Sequence, residues 1–159
     1  MNIMILRSCV LLASTCLAGA LAPVVLAASP DAEQARRIAE QYVAGMQSAG
    51  GNPQEGYEAG DVVVSDLDGD GQDEIVVLWT MYGPTYWHHG VAVLAKNGTR
   101  YVPAGETQEP LGSVEAMTVR ERVVELKTKW PGPDDPRCCP SVARTLRYRW
   151  TPGKLTPVK

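Results

Sequence analysis

Between Asp61 and Met81 the chain reads DVVVSDLDGDGQDEIVVLWTM, an acidic stretch interrupted by glycine and held between two runs of branched apolar residues. No other feature restricts the fold as much. Asp66, Asp68 and Asp70 recur at alternate positions, Gly71 follows the third, and Glu74 closes the stretch before Ile75. A hard divalent cation takes oxygen ligands, and a tight turn brings side chains at loop positions one, three and five together. A backbone carbonyl at seven and a carboxylate at nine complete such a set. The candidate ligands are therefore Asp66, Asp68, Asp70, the carbonyl of Gln72, and Glu74, with calcium the expected ion. Gly71 falls at position six, where the backbone turns sharply and a side chain would interfere.

Position twelve is Val77, where a helix-loop-helix calcium site carries a bidentate Glu, and the flanks here are β-branched. The expectation is a strand-loop-strand site. Counting Asp73, five carboxylates crowd nine residues, and their repulsion opposes a compact turn unless a cation relieves it. The simpler reading is an acidic hairpin loop in which Asp and Gly serve only the turn. It explains the residue types but not their alternating register. The stretch also resembles the loop of FG-GAP and VCBS repeats, extracellular β-structures that hold calcium through D-x-D-G-D-G-x-x-[DE]. That resemblance covers Asp61 to Met81 alone. There is no second copy in the chain, which argues against a propeller of repeated blades.

The first residues, MNIMILRSCVLLASTCLAGALAPVVLAASPD, place one charge, Arg7, ahead of an apolar run that ends in small residues. This is the pattern of a secretory signal, expected over residues 1–27, with the mature chain starting near Ala28. The alternatives are an uncleaved anchor, since Ser8 to Ala28 is just long enough to span a bilayer, or lipid attachment at Cys16 behind a poor lipobox. Membrane association is expected only in those two cases. The formal net charge is −3, and loss of Arg7 with the leader makes it one unit more negative, so nucleic acid is not an expected partner. Residues 28–159, about 130 in number, suit one domain with a real core. The chain has no Phe, so its large anchors are four Trp and six Tyr.

Ser29-Pro30-Asp31 offers an N-cap, a proline at the first helical position and an acid in the first turn. A helix is expected to follow, with Ala35, Ile38, Ala39, Tyr42, Val43 and Met46 on one face, ending at Gly50-Gly51. Asn52 to Gly60 reads as a loop, Val62 to Ser65 as a strand, and Ile75 to Thr80 as a central strand apolar on both faces. Tyr82 to His89 reads as a turn-rich connection whose aromatics could contact a protein partner. His88 and His89 are adjacent and point opposite ways in extended chain, so they do not suit one metal ion. Val91 to Ala95 and Arg100 to Val102 flank an Asn97-Gly98 hairpin turn, and Pro103 to Pro110 reads as a loop. Val114 to Val119 and Val123 to Trp130 pair across Arg120-Glu121-Arg122. The last long strand turns Leu146, Tyr148 and Trp150 inward. Lys127, Lys129, Arg147 and Arg149 then share one face, which reads most simply as a solvated surface that resists edge aggregation. An acidic or phosphorylated partner is the alternative. Pro152-Gly153 turns the tail into a short last strand. The fold expected is α+β, an N-terminal helix packed on an antiparallel sheet of about six to eight short strands.

Once the leader is removed, Cys138 and Cys139 are the remaining cysteines. Adjacent Cα atoms lie about 3.8 Å apart, closer than is usual for a disulfide. A structural vicinal disulfide in the loop is the expectation; free thiols, bonds to a second chain, a redox switch or a soft-metal site remain open. The stretch D-P-R-C-C-P-S, followed by a strand ending Arg147-Tyr148-Arg149-Trp150, resembles the C-terminal signature of small secreted lipoproteins of the LppP/LprE type. With the acidic loop upstream, the likeness is expected from roughly Asp61 to Trp150, and it carries over no catalytic residue. There is no Cys-x-x-Cys, no serine elbow and no His beside the acidic loop. The reading is thus a secreted or periplasmic, non-enzymatic domain that binds structural calcium. The alternatives are a thiol-redox protein, or an inhibitor or adaptor acting through Tyr82 to Trp87.

Overall fold

The computed structural model describes residues 28–49, 52–136 and 138–159. The expected leader over 1–27, the Gly50-Gly51 helix stop and Arg137 lie outside the described residues. One helix, α1 (Ala32–Ala49), precedes eight strands: β1 (Gly56–Ser65), β2 (Glu74–Tyr82), β3 (Trp87–Asn97), β4 (Arg100–Glu106), β5 (Ser113–Arg120), β6 (Val123–Trp130), β7 (Val142–Thr151) and β8 (Lys154–Pro157). The arrangement is α+β and mostly sheet. The strands form two antiparallel meanders, β1-β2-β3-β4 and β5-β6-β7-β8, instead of one continuous sheet. The break falls where Pro110 has no N–H to donate to a ladder and Gly112 takes a φ of 69°. Between them Leu111 turns into the core at 1% exposure.

The two-faced apolar pattern of β2 sets the layering. Ile75, Val77 and Trp79 face α1 and join Ala35, Ala39 and Val43. Val76 and Leu78 face the second sheet and join Met117, Val124, Leu126, Tyr148 and Trp150. A strand apolar on both faces needs cover on both sides, and here a helix supplies one cover and a second sheet the other.

Local chemistry corrects several boundaries. Asp31, not Ser29, caps α1: its carboxylate accepts from the Gln34 N–H at 2.7 Å, and its carbonyl takes the first helical bond from the Ala35 N–H at 2.9 Å. β1 begins at Gly56 because cross-strand pairing from Gly56↔Tyr82 onward overrides the loop-like composition of that stretch. It bulges between Ala59 and Val62, where the Arg36 guanidinium donates to the carbonyls of Ala59 at 2.9 Å and Gly60 at 2.6 Å. β3 starts at Trp87, so His88 and His89 are strand residues paired with Met81 and Thr80. β4 runs on to Glu106, since an edge strand tolerates Pro103. Its register shifts around Ala104, whose carbonyl accepts from Trp150 Nε1 at 2.8 Å and Gly153 N at 2.7 Å, joining the two sheets.

Candidate metal centre

The acidic loop joins the end of β1 to the start of β2, on neighbouring antiparallel strands. Leu67, 2% exposed, plugs it into the core between the sheets. Gly69 and Gly71 take φ values of 87° and 85°, a conformation that only glycine adopts freely. Around them the carboxylates accept backbone N–H groups. Asp66 takes those of Gly69 at 2.5 Å and Gly71 at 3.2 Å, Asp68 that of Asp70 at 3.1 Å, and Asp70 that of Gln72 at 2.7 Å. Asp66, Asp68 and Glu74 each bring a carboxylate oxygen to within 4.8 Å of the other two. Asp70 stands outside this trio and also accepts from the Gln72 side-chain amide at 3.1 Å. Asp73 turns away, accepting from the Ser29 hydroxyl while its carbonyl takes the Tyr101 hydroxyl at 3.2 Å.

Glu74 is the unusual member. It is 3% exposed, and its Oε2 accepts the Leu67 N–H at 2.8 Å. Burial, reinforced by the charges of Asp68, Asp70 and Asp66, pushes its pKa up to about 7, against the lowering effect of the Leu67 N–H. An ionised Glu74 is thus costly without a neighbouring cation. The trio offers oxygen donors only, the chemistry of calcium and magnesium sites.

No spacing along the chain points to Arg122. It lies in the β5–β6 turn, where Glu121 and Arg122 both take positive φ, 49° and 63°. Its guanidinium packs against Gly69, where an added side chain would have to displace it, and donates to the Asp68 carbonyl at 3.3 Å. The second sheet therefore touches the acidic loop through a cation. Only the packing of the sheets brings together residues this far apart in the chain.

The β6–β7 connection is closed differently. Cys138 and Cys139 form a vicinal disulfide with a Cα separation of 3.8 Å. Asp135 gathers the ends of the loop: its carboxylate accepts from the N–H groups of Gly132 and Ser141, both at 2.7 Å, and from the Ser141 hydroxyl at 2.9 Å. These backbone donors hold its pKa below the usual carboxylate value. The aromatic connection lies nearby. Tyr82, Tyr86 and Trp87 are exposed, and Trp87, Trp130, Pro110 and Pro140 help line a groove of about 240 Å³. His89 donates to or accepts from the Thr80 hydroxyl at 2.9 Å, while the His88 ring lies 5.6 Å from that of Trp79. Among the described residues no helix is long and apolar enough to cross a membrane.

Residues 93–153, from the middle of β3 to the turn before β8, match the model of the LppP/LprE lipoprotein family. The chain resembles the LppP/LprE lipoproteins. The match includes the Cys138-Cys139 loop and both strands beside it, whereas the acidic loop lies upstream of the matched residues. A likeness to LppP/LprE lipoproteins points to an extracytoplasmic or membrane-associated protein. No curated protein and no solved structure gives a significant match.

Proposed function

We propose that the protein is a non-enzymatic extracytoplasmic module, exported by the leader at 1–27, whose β1–β2 loop binds a structural calcium ion. The observation that carries this reading is the nearly buried Glu74 carboxylate lying beside those of Asp66 and Asp68. In the proposed site these three carboxylates bind the ion, and Asp70 and the Gln72 carbonyl complete the set. The ion would bridge the end of β1 to the start of β2 and offset the repulsion that raises the Glu74 pKa. Extracellular calcium modules bind at about 0.1 to 1 mM, so such a site is half-filled or more at about millimolar calcium and acts on stability. The test is thermal unfolding of the purified protein with calcium, magnesium or chelator. A rise specific to calcium that Asp68→Ala abolishes supports the reading; no shift up to millimolar calcium reduces the loop to turn chemistry.

The exposed Tyr82, Tyr86 and Trp87 favour a second role, contact with a protein partner. Loss of a captured partner in Trp87→Ala, but not in a Cys138→Ser, Cys139→Ser variant, would support it.

A further inference from the structure

The outer face of the second sheet carries charge opposite to that of the molecule. Register places Arg120 on β5, Lys127 and Lys129 on β6, Arg147 and Arg149 on β7, and Lys154 on β8, all on the side facing away from the core. The inward residues of the same strands, Met117, Leu126, Tyr148 and Leu155, are buried. Among the described residues of these strands only Glu115 and Glu125 oppose these cations on the face, paired with Lys129 at 2.7 Å and Arg147 at 2.9 Å. Among the described residues Arg120, Lys127, Arg149 and Lys154 have no ion-pair partner. The chain as a whole is acidic at −3, so this face is a segregated positive surface and not a sample of the average. Helix α1 lies on the far side of the first sheet and leaves it uncovered.

We propose that this face binds an extended acidic polysaccharide. Residues two apart on a strand lie roughly 6.7 Å from each other and neighbouring strands about 4.8 Å apart, so the cations form a flat grid suited to a polymer bearing repeated charges. Thr118, Thr145, Thr151 and Thr156 are exposed between them and offer hydroxyls to a polyhydroxylated chain. Among the described residues the face carries no aromatic side chain on which bases could stack, which disfavours single-stranded nucleic acid. It also lacks the large apolar side chains that anchor an interfacial element in a bilayer. Charge complementarity and hydroxyl chemistry together favour the glycan.

The test measures binding of the purified protein to polygalacturonate in chelator, so that calcium held by the glycan plays no part, with dextran as the uncharged control. Binding to polygalacturonate and not to dextran is expected, weakening as salt rises. Lys127→Gln with Arg149→Gln should lower affinity about tenfold without changing the melting temperature, since neither residue leaves a carboxylate unpaired. Arg100→Gln, on the β3–β4 hairpin, should leave binding unchanged. The proposal is overturned by no binding at about 0.15 M ionic strength. Undiminished binding by the double variant overturns it too, as does tighter binding to phosphatidylglycerol vesicles or to duplex DNA than to the glycan.

Discussion

The β1–β2 loop and the β6–β7 loop are both organised by carboxylates, and they treat them in opposite ways. Asp135 stands alone among three donors, and its pKa is lowered. Glu74 is buried with one N–H and three acidic neighbours, and its pKa is raised to about 7. The first carboxylate stabilises its loop by being charged. The second is stabilised by losing its charge or by gaining a cation. Depth separates the loops as well: Leu67 anchors the acidic loop in the core, while Cys138 and Cys139 are exposed. One loop is pinned to the interior by Leu67 and Glu74 while Asp68 to Gln72 stay exposed, and the other closes on itself at the surface.

Removing the anchor should have the largest effect. Leu67→Ala is expected to destabilise the protein by about 2 to 5 kcal/mol, whereas Ser141→Ala in the surface loop should cost about 1 kcal/mol or less, both read by denaturant unfolding. Next comes the ion. Calcium at 100-fold excess over its dissociation constant should add about 2.7 kcal/mol. Glu74→Gln, which mimics the protonated acid, should abolish that gain yet leave the chelated protein at pH 8 as stable as the parent or more so. A loss of stability in chelator would break the contrast between the loops.

The pH dependences sharpen it further. A raised carboxylate pKa means that between 4.5 and about 7 the folded protein keeps a proton the unfolded chain has lost. Stability contributed by Glu74 in chelator should therefore fall as pH rises through that window, by no more than about 3 kcal/mol, and calcium should flatten the slope. Asp135 has the reverse sign. Its contribution is present above the ordinary carboxylate value of 3.8 and is lost as pH falls through its lowered pKa, so Asp135→Asn should remove part of the acid-induced loss of melting temperature. The smallest effect is expected from reducing Cys138–Cys139. A bond between neighbours closes almost no loop, so it restricts the unfolded chain very little, and the melting temperature should scarcely move.

The α+β class, the apolar face of α1, the two-faced β2 and the inward set Leu146, Tyr148 and Trp150 could be read from periodicity alone. In these segments the buried face is fixed by local spacing. Proline and glycine look like loop wherever the partner strand is unknown, so composition alone ends β4 before Pro103 and leaves Gly56 to Gly60 out of β1. Ser29 and Asp31 both suit the helix cap by residue type, and only the hydrogen bonds separate them, two residues later than expected.

By itself the sequence determined the alternating acids between apolar runs, the glycines that allow the turn, the adjacent cysteines and the segregation of polar from apolar faces along each strand. These are properties of neighbours in the chain. Tertiary structure decided that the strands divide into two sheets, that Asp135 ties its loop and that Arg122 reaches Asp68 from the other sheet. It also decided that Glu74 is buried and that the cations of four strands share one face. Burial and electrostatics depend on distance through space, and only the packed layers bring residues far apart in the chain close enough to interact.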